Sequence, residues 1–380
     1  MANVLTDLAA DLYTAAQQVG REQVGFIPAS NMNMEAVNAA KGDTVRAAFA
    51  PDVTAADVSP TMTIPEGTDQ TVGNKTMTLD KFKSVPIPYT NEDVRHLNNG
   101  AGYETVLGKQ IEQAMRSLTN QIEADLAVQA TLYASNAYGT AGSTPFGTAG
   151  DLTDASNVLK LLKDNGAGGF DNQLVLNTSA GANFIGKQSQ VDMSGSADIR
   201  NQGILIRTAG MDIRESAQAQ YHVAGDAASA TTNTAGYAIG ATEITLASAG
   251  TGAILAGDVI SFAGDATKYG VLVGDADVSG GGTITLTGGL KQAIPASATA
   301  ITVVGSSARN IAFSRNALEF AMRASDGDDA AVDVMTVQDP VSGLVFVIKE
   351  YRGYNKKMID VSALWGVKAW DGDKIVSLLG

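Results

Sequence analysis

Residues 103–133 read YETVLGKQIEQAMRSLTNQIEADLAVQATLY, and this stretch decides the architecture. Leu107, Ile111, Met115, Leu118, Ile122 and Leu126 recur at steps of three and four. That spacing places them on one stripe of a helix. Lys109, Gln113, Arg116, Asn120 and Glu123 fall between them and predict a polar opposite face. At about 1.5 Å per residue the helix is roughly 45 Å long. A helix of that length with one apolar face lies on a sheet and is exposed along its length. Gly100 and Gly102 precede it. Further upstream, Thr90-Asn91-Glu92-Asp93 is a helix-start cluster, with Asp93 three positions after Thr90 as in a capping box.

N-terminal to this region, 61–89 reads as an extended two-stranded excursion. Met77, Leu79, Val85, Ile87 and Tyr89 share one parity, as one face of a strand does. Gly67 and Gly73-Asn74 mark the far turn. Pro86 and Pro88 suit an edge strand, because proline has no N–H for a central ladder. A hairpin with charged, Thr-rich faces needs a partner surface, in its own chain or another. Lys75, Lys81 and Lys83 lie on it with Glu66, Asp69 and Asp80. The interleaved acids make a poor nucleic-acid patch. A rim that docks on another subunit and a solvated edge protected by lysine both fit these residues. Before the hairpin, Leu5, Leu8, Leu12, Ala16 and Val19 predict a helix over 1–20. Residues 20–60 read as an arm lying across other structure.

C-terminal to the long helix, 151–216 alternates helix and strand. Helices are expected at 151–165, with Thr153 as cap and Gly166 as stop, and at 179–190. Strands are expected at 174–176, 204–207 and 211–214. The composition then shifts: 15 of the 41 Gly fall in 225–305. Five strand-like runs, 241–247, 259–262, 269–273, 283–287 and 300–304, are separated by turn clusters. This predicts a small all-β barrel or sandwich inserted between α+β segments, its two ends adjacent. Beyond it, 310–314 is a strand whose Ser314 caps a helix to Ala324. Asp326, Asp328 and Asp329 form an acidic loop, and strands at 332–337, 343–351, 358–370 and 374–379 finish the sheet.

Composition excludes several functions. The net charge of −14 disfavours a protein that grips phosphate backbone. Absence of Cys removes disulfides, thiolate zinc sites and thiol catalysis. With no apolar run near the ~18 residues of a membrane helix, no membrane partner is expected. Asp7 and Asp11 stand where a signal peptide would be positive. Gly181 to Gly186-Lys187 imitates a phosphate loop after a strand, but Gln188 follows where a Ser or Thr hydroxyl is needed. Asp275, Asp277 and Ser279-Gly280 open like a calcium loop, yet the closing Glu is replaced by Leu286. His96 and His222 sit in no metal spacing and read as surface or hydrogen-bonded structural residues. No enzyme activity and no cofactor is expected.

The order of parts, with Asn310-Ile-Ala-Phe-Ser-Arg-Asn-Ala-Leu318, Asp339-Pro340-Val-Ser-Gly343-Leu344 and Asp360-Val-Ser-Ala-Leu-Trp-Gly-Val-Lys368, resembles the major capsid proteins of tailed double-stranded-DNA phages. These have the Hong Kong 97-like α+β fold, and the resemblance is to short-tailed-phage coats that carry an insertion domain. It covers about 300 residues outside the insertion and lies in order plus spacing. It implies an N-terminal arm (1–60), an E-loop hairpin (61–90), and a peripheral domain with the spine helix (91–150). An axial domain (151–223 and 307–345), an inserted β-barrel (224–306) and C-terminal strands returning to the peripheral sheet (346–380) follow. It implies hexamers and pentamers of an icosahedral virion shell, assembled in the host cytoplasm with a scaffolding protein, and a procapsid that expands on maturation. A portal protein and an optional decoration protein are the further partners. The DNA is enclosed without sequence-specific binding. Candidate inter-subunit contacts are Glu66, Lys75, Lys81, Phe82, Lys83 and Arg116. The competing readings are an encapsulin-like compartment shell and a surface-layer or adhesin protein.

Overall fold

A computed structural model describes residues 24–33, 40–49, 57, 73–98, 103–148, 151–167, 169, 171–188, 207–325, 330–339 and 343–380. The expected helix over 1–20, Glu66, the Gly67 turn, Asp69, the strand at 204–206 and the acidic loop at 326–329 lie outside the described residues.

The chain enters through a helical turn, α1 (Phe26–Ala29), and a short strand, β1 (Asn31–Asn33). β2 (Thr44–Phe49) and β3 (Gly73–Thr78) pair antiparallel from Thr44↔Thr78 to Phe49↔Gly73. β4 (Lys81–Thr90) leads into α2 (Asn91–Asn98). Here the capping box closes both ways: the Thr90 N–H donates to Asp93 Oδ2 at 2.9 Å, and the Asp93 N–H to Thr90 Oγ1 at 3.2 Å. The long helix is α3 (Tyr103–Leu132). β5 (Asn136–Gly139), α4 (Thr153–Asp164), β6 (Asn172–Leu176), α5 (Thr178–Gln188), β7 (Met211–Glu215) and β8 (Tyr221–His222) follow. The five Gly-rich runs become β9 (Glu243–Thr245), β10 (Val259–Phe262), β11 (Lys268–Val273), β12 (Thr283–Leu286) and β13 (Ile301–Val303). The last third supplies β14 (Ser307–Ser314), β15 (Leu318–Arg323), β16 (Asp333–Gln338), β17 (Val345–Gly353), β18 (Lys356–Ala369) and β19 (Ile375–Leu379).

Two sheets organise these elements. In the six-stranded sheet β18 is the hub, bordered by β17 and β15 on one flank and by β4 on the other. The α3 stripe packs onto it: Ile111, Met115, Leu118, Ile122 and Leu126 share a core with Phe320, Phe346, Ile348, Val361 and Trp365. The buried Trp365 keeps its one polar atom satisfied by donating Nε1–H to Asp125 Oδ2 at 2.9 Å. The eleven-stranded sheet runs β13-β10-β11-β5-β19-β14-β6-β7, with β12 and β9 continuing from β11 and β8 on β14. Leu162 of α4 and Phe184 of α5 pack on it with Leu174, Leu176, Ile213, Val376 and Leu378. β9 to β13 also enclose a core of their own, with Ile244, Ile260, Phe262, Tyr269, Val271 and Ile284. The two connections to that segment are neighbours, since His222 pairs with Ser307.

Four expectations are corrected. The excursion does not fold back across Gly73-Asn74: β3 takes β2 as partner, while β4 runs beside β18 for ten residue pairs. Only Leu79 and Asp80 separate β3 from β4, and Leu79 exchanges backbone hydrogen bonds with Gly42 and Asp43 instead of turning. Ser314 caps no helix to Ala324; after one 3-10 turn, 318–323 is a strand. Its helix-favouring residues are overruled because β18 and β1 offer ladders on both sides. The last strands do not finish one sheet, for β18 and β19 belong to different ones. At α4 the cap position is Leu152, and Asp151 Oδ1 accepts the Thr153 N–H at 2.8 Å.

Candidate subunit interface

β2 and β3 pair only with each other among the described residues. An isolated two-stranded ribbon is marginal in water. This one is anchored to the body at its base and by Lys75. Met77 and Leu79 are fully buried against Ala321 and Leu364, with Val45 and Trp370 beside them. Gly366 allows that contact, since a Cβ there would lie 2.2 Å from the Thr78 carbonyl oxygen. Lys75 on β3 donates Nζ–H to the Trp370 carbonyl, a further tie to the body.

Lys81, Phe82 and Lys83 all lie on β4, in register with Trp365, Leu364 and Ala363. Among the described residues β4 has a strand on one side only, as Pro86 and Pro88 required. All three side chains are exposed, and Phe82 at 42% is a large apolar group facing water. Lys41 Nζ stands 6.0 Å from its ring centroid. Arg116 is on α3, 3.7 Å from Glu112 one turn earlier. The fold therefore unites Lys81, Phe82 and Lys83 on one sheet edge, directs Lys75 to Trp370, and leaves Arg116 on the helix.

Sequence reasoning missed the most constrained polar residue. The spacing predicts Glu123 on the polar face of α3, but it is 0% exposed. Its Oε1 accepts the N–H groups of Gly25 (2.6 Å) and Phe26 (2.7 Å) and the Ser216 hydroxyl (2.7 Å). Its Oε2 accepts the Ile27 N–H at 2.9 Å. These are the orphan donors at the start of α1, so a carboxylate caps one helix from the side of another. Burial pushes the Glu123 carboxyl above the usual range, and the four hydrogen bonds pull it partway back. The available signal was position: Glu123 follows Thr119 by four and precedes Leu126 by three, inside the apolar stripe.

The remaining chemical candidates resolve into structure. The Gly181 to Lys187 segment lies inside α5 and forms no loop. Gly181 is small because a Cβ would meet Glu215 Cδ at 2.8 Å. Asp277 Oδ1 accepts the Ser279 N–H at 3.0 Å, closing an ordinary turn. Among the described residues no group of three or more His, Asp or Glu is placed to hold a metal ion, and no helix is long and apolar enough to cross a membrane. His96 is exposed on α2, and His222 Nε2 lies 2.7 Å from Asp258 Oδ1.

No family profile and no curated protein matches the sequence. Solved structures do match the fold. One from Mycobacterium phage Che8 is 14% identical, with 94% of this chain and 91% of that one aligned at a TM-score of 0.50. The capsid of Cyanophage P-SCSP1u aligns over 92% and 86% at 10% identity and TM-score 0.49. A virus-like particle from Pyrococcus furiosus aligns over 97% and 98% at 10% identity and TM-score 0.42. The chain has the Hong Kong 97-like α+β fold, with the long helix α3 packed on the six-stranded sheet.

Proposed function

We propose that the chain is the major capsid subunit of a tailed double-stranded-DNA phage, self-assembling into hexamers and pentamers of an icosahedral shell. The observation that carries this reading is the β2–β3 ribbon on this fold: two strands that pair only with each other among the described residues and dock on the body through Met77, Leu79 and Lys75. Such an element gains stability when a neighbouring subunit covers it, which a closed assembly provides for every copy. We read the β2–β3 ribbon as part of the E-loop, together with the expected 61–90. Lys81, Phe82 and Lys83 on the β4 edge are the contact residues we favour, with Lys75, Arg116 and Glu66 as further candidates. We read segment 224–306 as an inserted barrel; the pairing order β9-β12-β11-β10-β13, with the bridges Thr231↔Ala300 and Thr232↔Leu246 linking its two ends, supports that reading. The role is mechanical, without enzyme chemistry or cofactor. The net charge of −14 suits a shell that encloses DNA without adhering to it. A scaffolding protein, a portal and an optional decoration protein complete the partners, with assembly in the host cytoplasm and residence in the virion.

The test is expression alone and with a candidate scaffolding protein, followed by negative-stain microscopy and sedimentation. Closed shells or capsomer rings support the proposal. A monomer that never assembles under either condition overturns it. Shells that package protein cargo would favour a compartment over a virion.

A further inference from the structure

The connection between segment 225–305 and the rest of the chain is unusually polar for a buried place. Asp258 is 0% exposed and stands in the segment's own loop before β10. Its Oδ1 lies 2.7 Å from His222 Nε2, on the strand entering the segment. The Gly225 N–H reaches Oδ1 and Oδ2 at 3.2 and 3.1 Å, and the Leu255 N–H reaches Oδ2 at 2.7 Å. On the strand leaving the segment, Arg309 is 1% exposed and donates Nη2–H to the Gly257 carbonyl at 3.4 Å. Its Nε and Nη1 have no hydrogen-bond partner among the described residues. Burial lowers the Arg309 pKa to about 10, and the negative charge of Asp258 acts against that fall. The backbone is shaped around these groups. Gly257 has φ +87°, and a Cβ there would crowd the His222 ring at 3.1 Å. A Cβ on Gly225 would lie 2.2 Å from the Ala253 carbonyl oxygen. Ser306 Oγ accepts the Ala224 N–H at 3.0 Å, joining entry to exit directly.

We propose that the Gly257-Asp258 turn closes a buried polar clasp on both connecting strands, with Asp258 taking His222 of the entering strand and the Gly257 carbonyl taking Arg309 of the leaving strand, and so locks the neck of segment 225–305. Hydrogen bonds alone would hold two crossing strands side by side. The clasp carries charge as well: the negative charge of Asp258 acts against the cost of burying the Arg309 guanidinium. A second hold prevents rotation about the connection. β11 pairs with β5 through Tyr269↔Asn136, and the Gly270 N–H donates to the Ser135 carbonyl at 2.8 Å. With two fixed points the segment follows the sheet and does not swing on its connections. This inference stands on the neck geometry and is independent of the shell reading.

The test is amide hydrogen exchange on the full chain. Asp258→Asn strands the Arg309 charge, so protection at 222–225, 253–258 and 306–309 falls by roughly 100-fold or more, while β6 and β18 keep theirs. Arg309→Met added to Asp258→Asn removes the stranded charge and recovers at least roughly tenfold of that loss. Unchanged protection in Asp258→Asn overturns the proposal. So does a double variant worse than Asp258→Asn alone, because charge compensation would then play no part. If Asp258→Asn does not fold, Arg309→Met alone and His222→Gln decide the matter. Loss confined to the neck supports the clasp, and wild-type protection in both refutes it.

Discussion

Replacing Glu123 by Met keeps the side-chain volume and removes every acceptor from the pocket that holds α1. The N–H groups of Gly25, Phe26 and Ile27, now 2.6 to 2.9 Å from a carboxylate oxygen, lose their only hydrogen-bond partner there. Each unpaired buried donor costs about 1–3 kcal/mol, so the gross cost is roughly 3–9 kcal/mol. Removing a buried charge returns several kcal/mol of that. A net loss of about 2–4 kcal/mol corresponds to a roughly 30- to 900-fold rise in local opening. The remaining holds on 24–33 include the Arg315 Nη2–H donated to the Pro28 carbonyl at 2.8 Å, the Asn33 amide donated to Glu319 at 2.7 Å, the β1–β15 ladder, and Phe26 stacked on Phe313 at 6.3 Å. The opening is therefore confined to this segment. Amide exchange at Gly25, Phe26 and Ile27 is the assay, with β18 amides as internal reference. Protection within threefold of wild type at those three amides would refute the reasoning, because α1 would then be held by packing and Arg315 alone.

Glu123→Gln keeps one acceptor oxygen and carries no charge, so it separates charge from hydrogen bonding. Burial raises the folded pKa of Glu123 above its unfolded value. The folded state thus binds the proton more tightly, and the hold on 24–33 strengthens as pH falls through the folded pKa and weakens as it rises. Exchange measured between neutral and mildly acidic pH will show this slope in wild type and none in Glu123→Gln. At the start of α2 the sign is opposite: hydrogen bonds from Thr90 lower the Asp93 pKa, so the capping box holds at neutral pH and is lost only as pH falls through that lowered value. Thr90→Ala will lower protection of the α2 amides at neutral pH. Gly270→Ala places a Cβ 1.9 Å from the Ala134 carbonyl oxygen, so the β11–β5 joint must part, at a cost of about 1–3 kcal/mol visible as a lower Tm. Lys81→Glu with Lys83→Glu on the exposed β4 edge will leave the Tm of the unassembled chain unchanged and abolish shells by microscopy; normal shells would remove this edge from the interface.

Much of the fold was legible because it is written in local periods. The α3 stripe, the alternation of Met77 and Leu79, the capping box and the five strands of 225–305 each depend on residues within one or two turns or one strand. Pro86 and Pro88 announced an edge because the missing N–H is a property of the residue itself. Partner choice was not legible in the same way. Nothing in 73–90 says that β3 will lie on β2 and β4 on β18, because a strand offers the same donors and acceptors to any partner. The helix-favouring run at 318–323 becomes a strand because two ladders outweigh a propensity worth under about 1 kcal/mol per residue. Glu123 looks like a surface acid in the sequence, and nothing there singles out Asp258. They are interior anchors because the donors that satisfy them, at 25–27 and at 222–225, arrive from distant parts of the chain. The sequence by itself determined which segments are helix or strand wherever a period was sustained. Only the tertiary structure decided which strands meet and which charges are buried, since those depend on the sum of contacts between residues far apart in the chain.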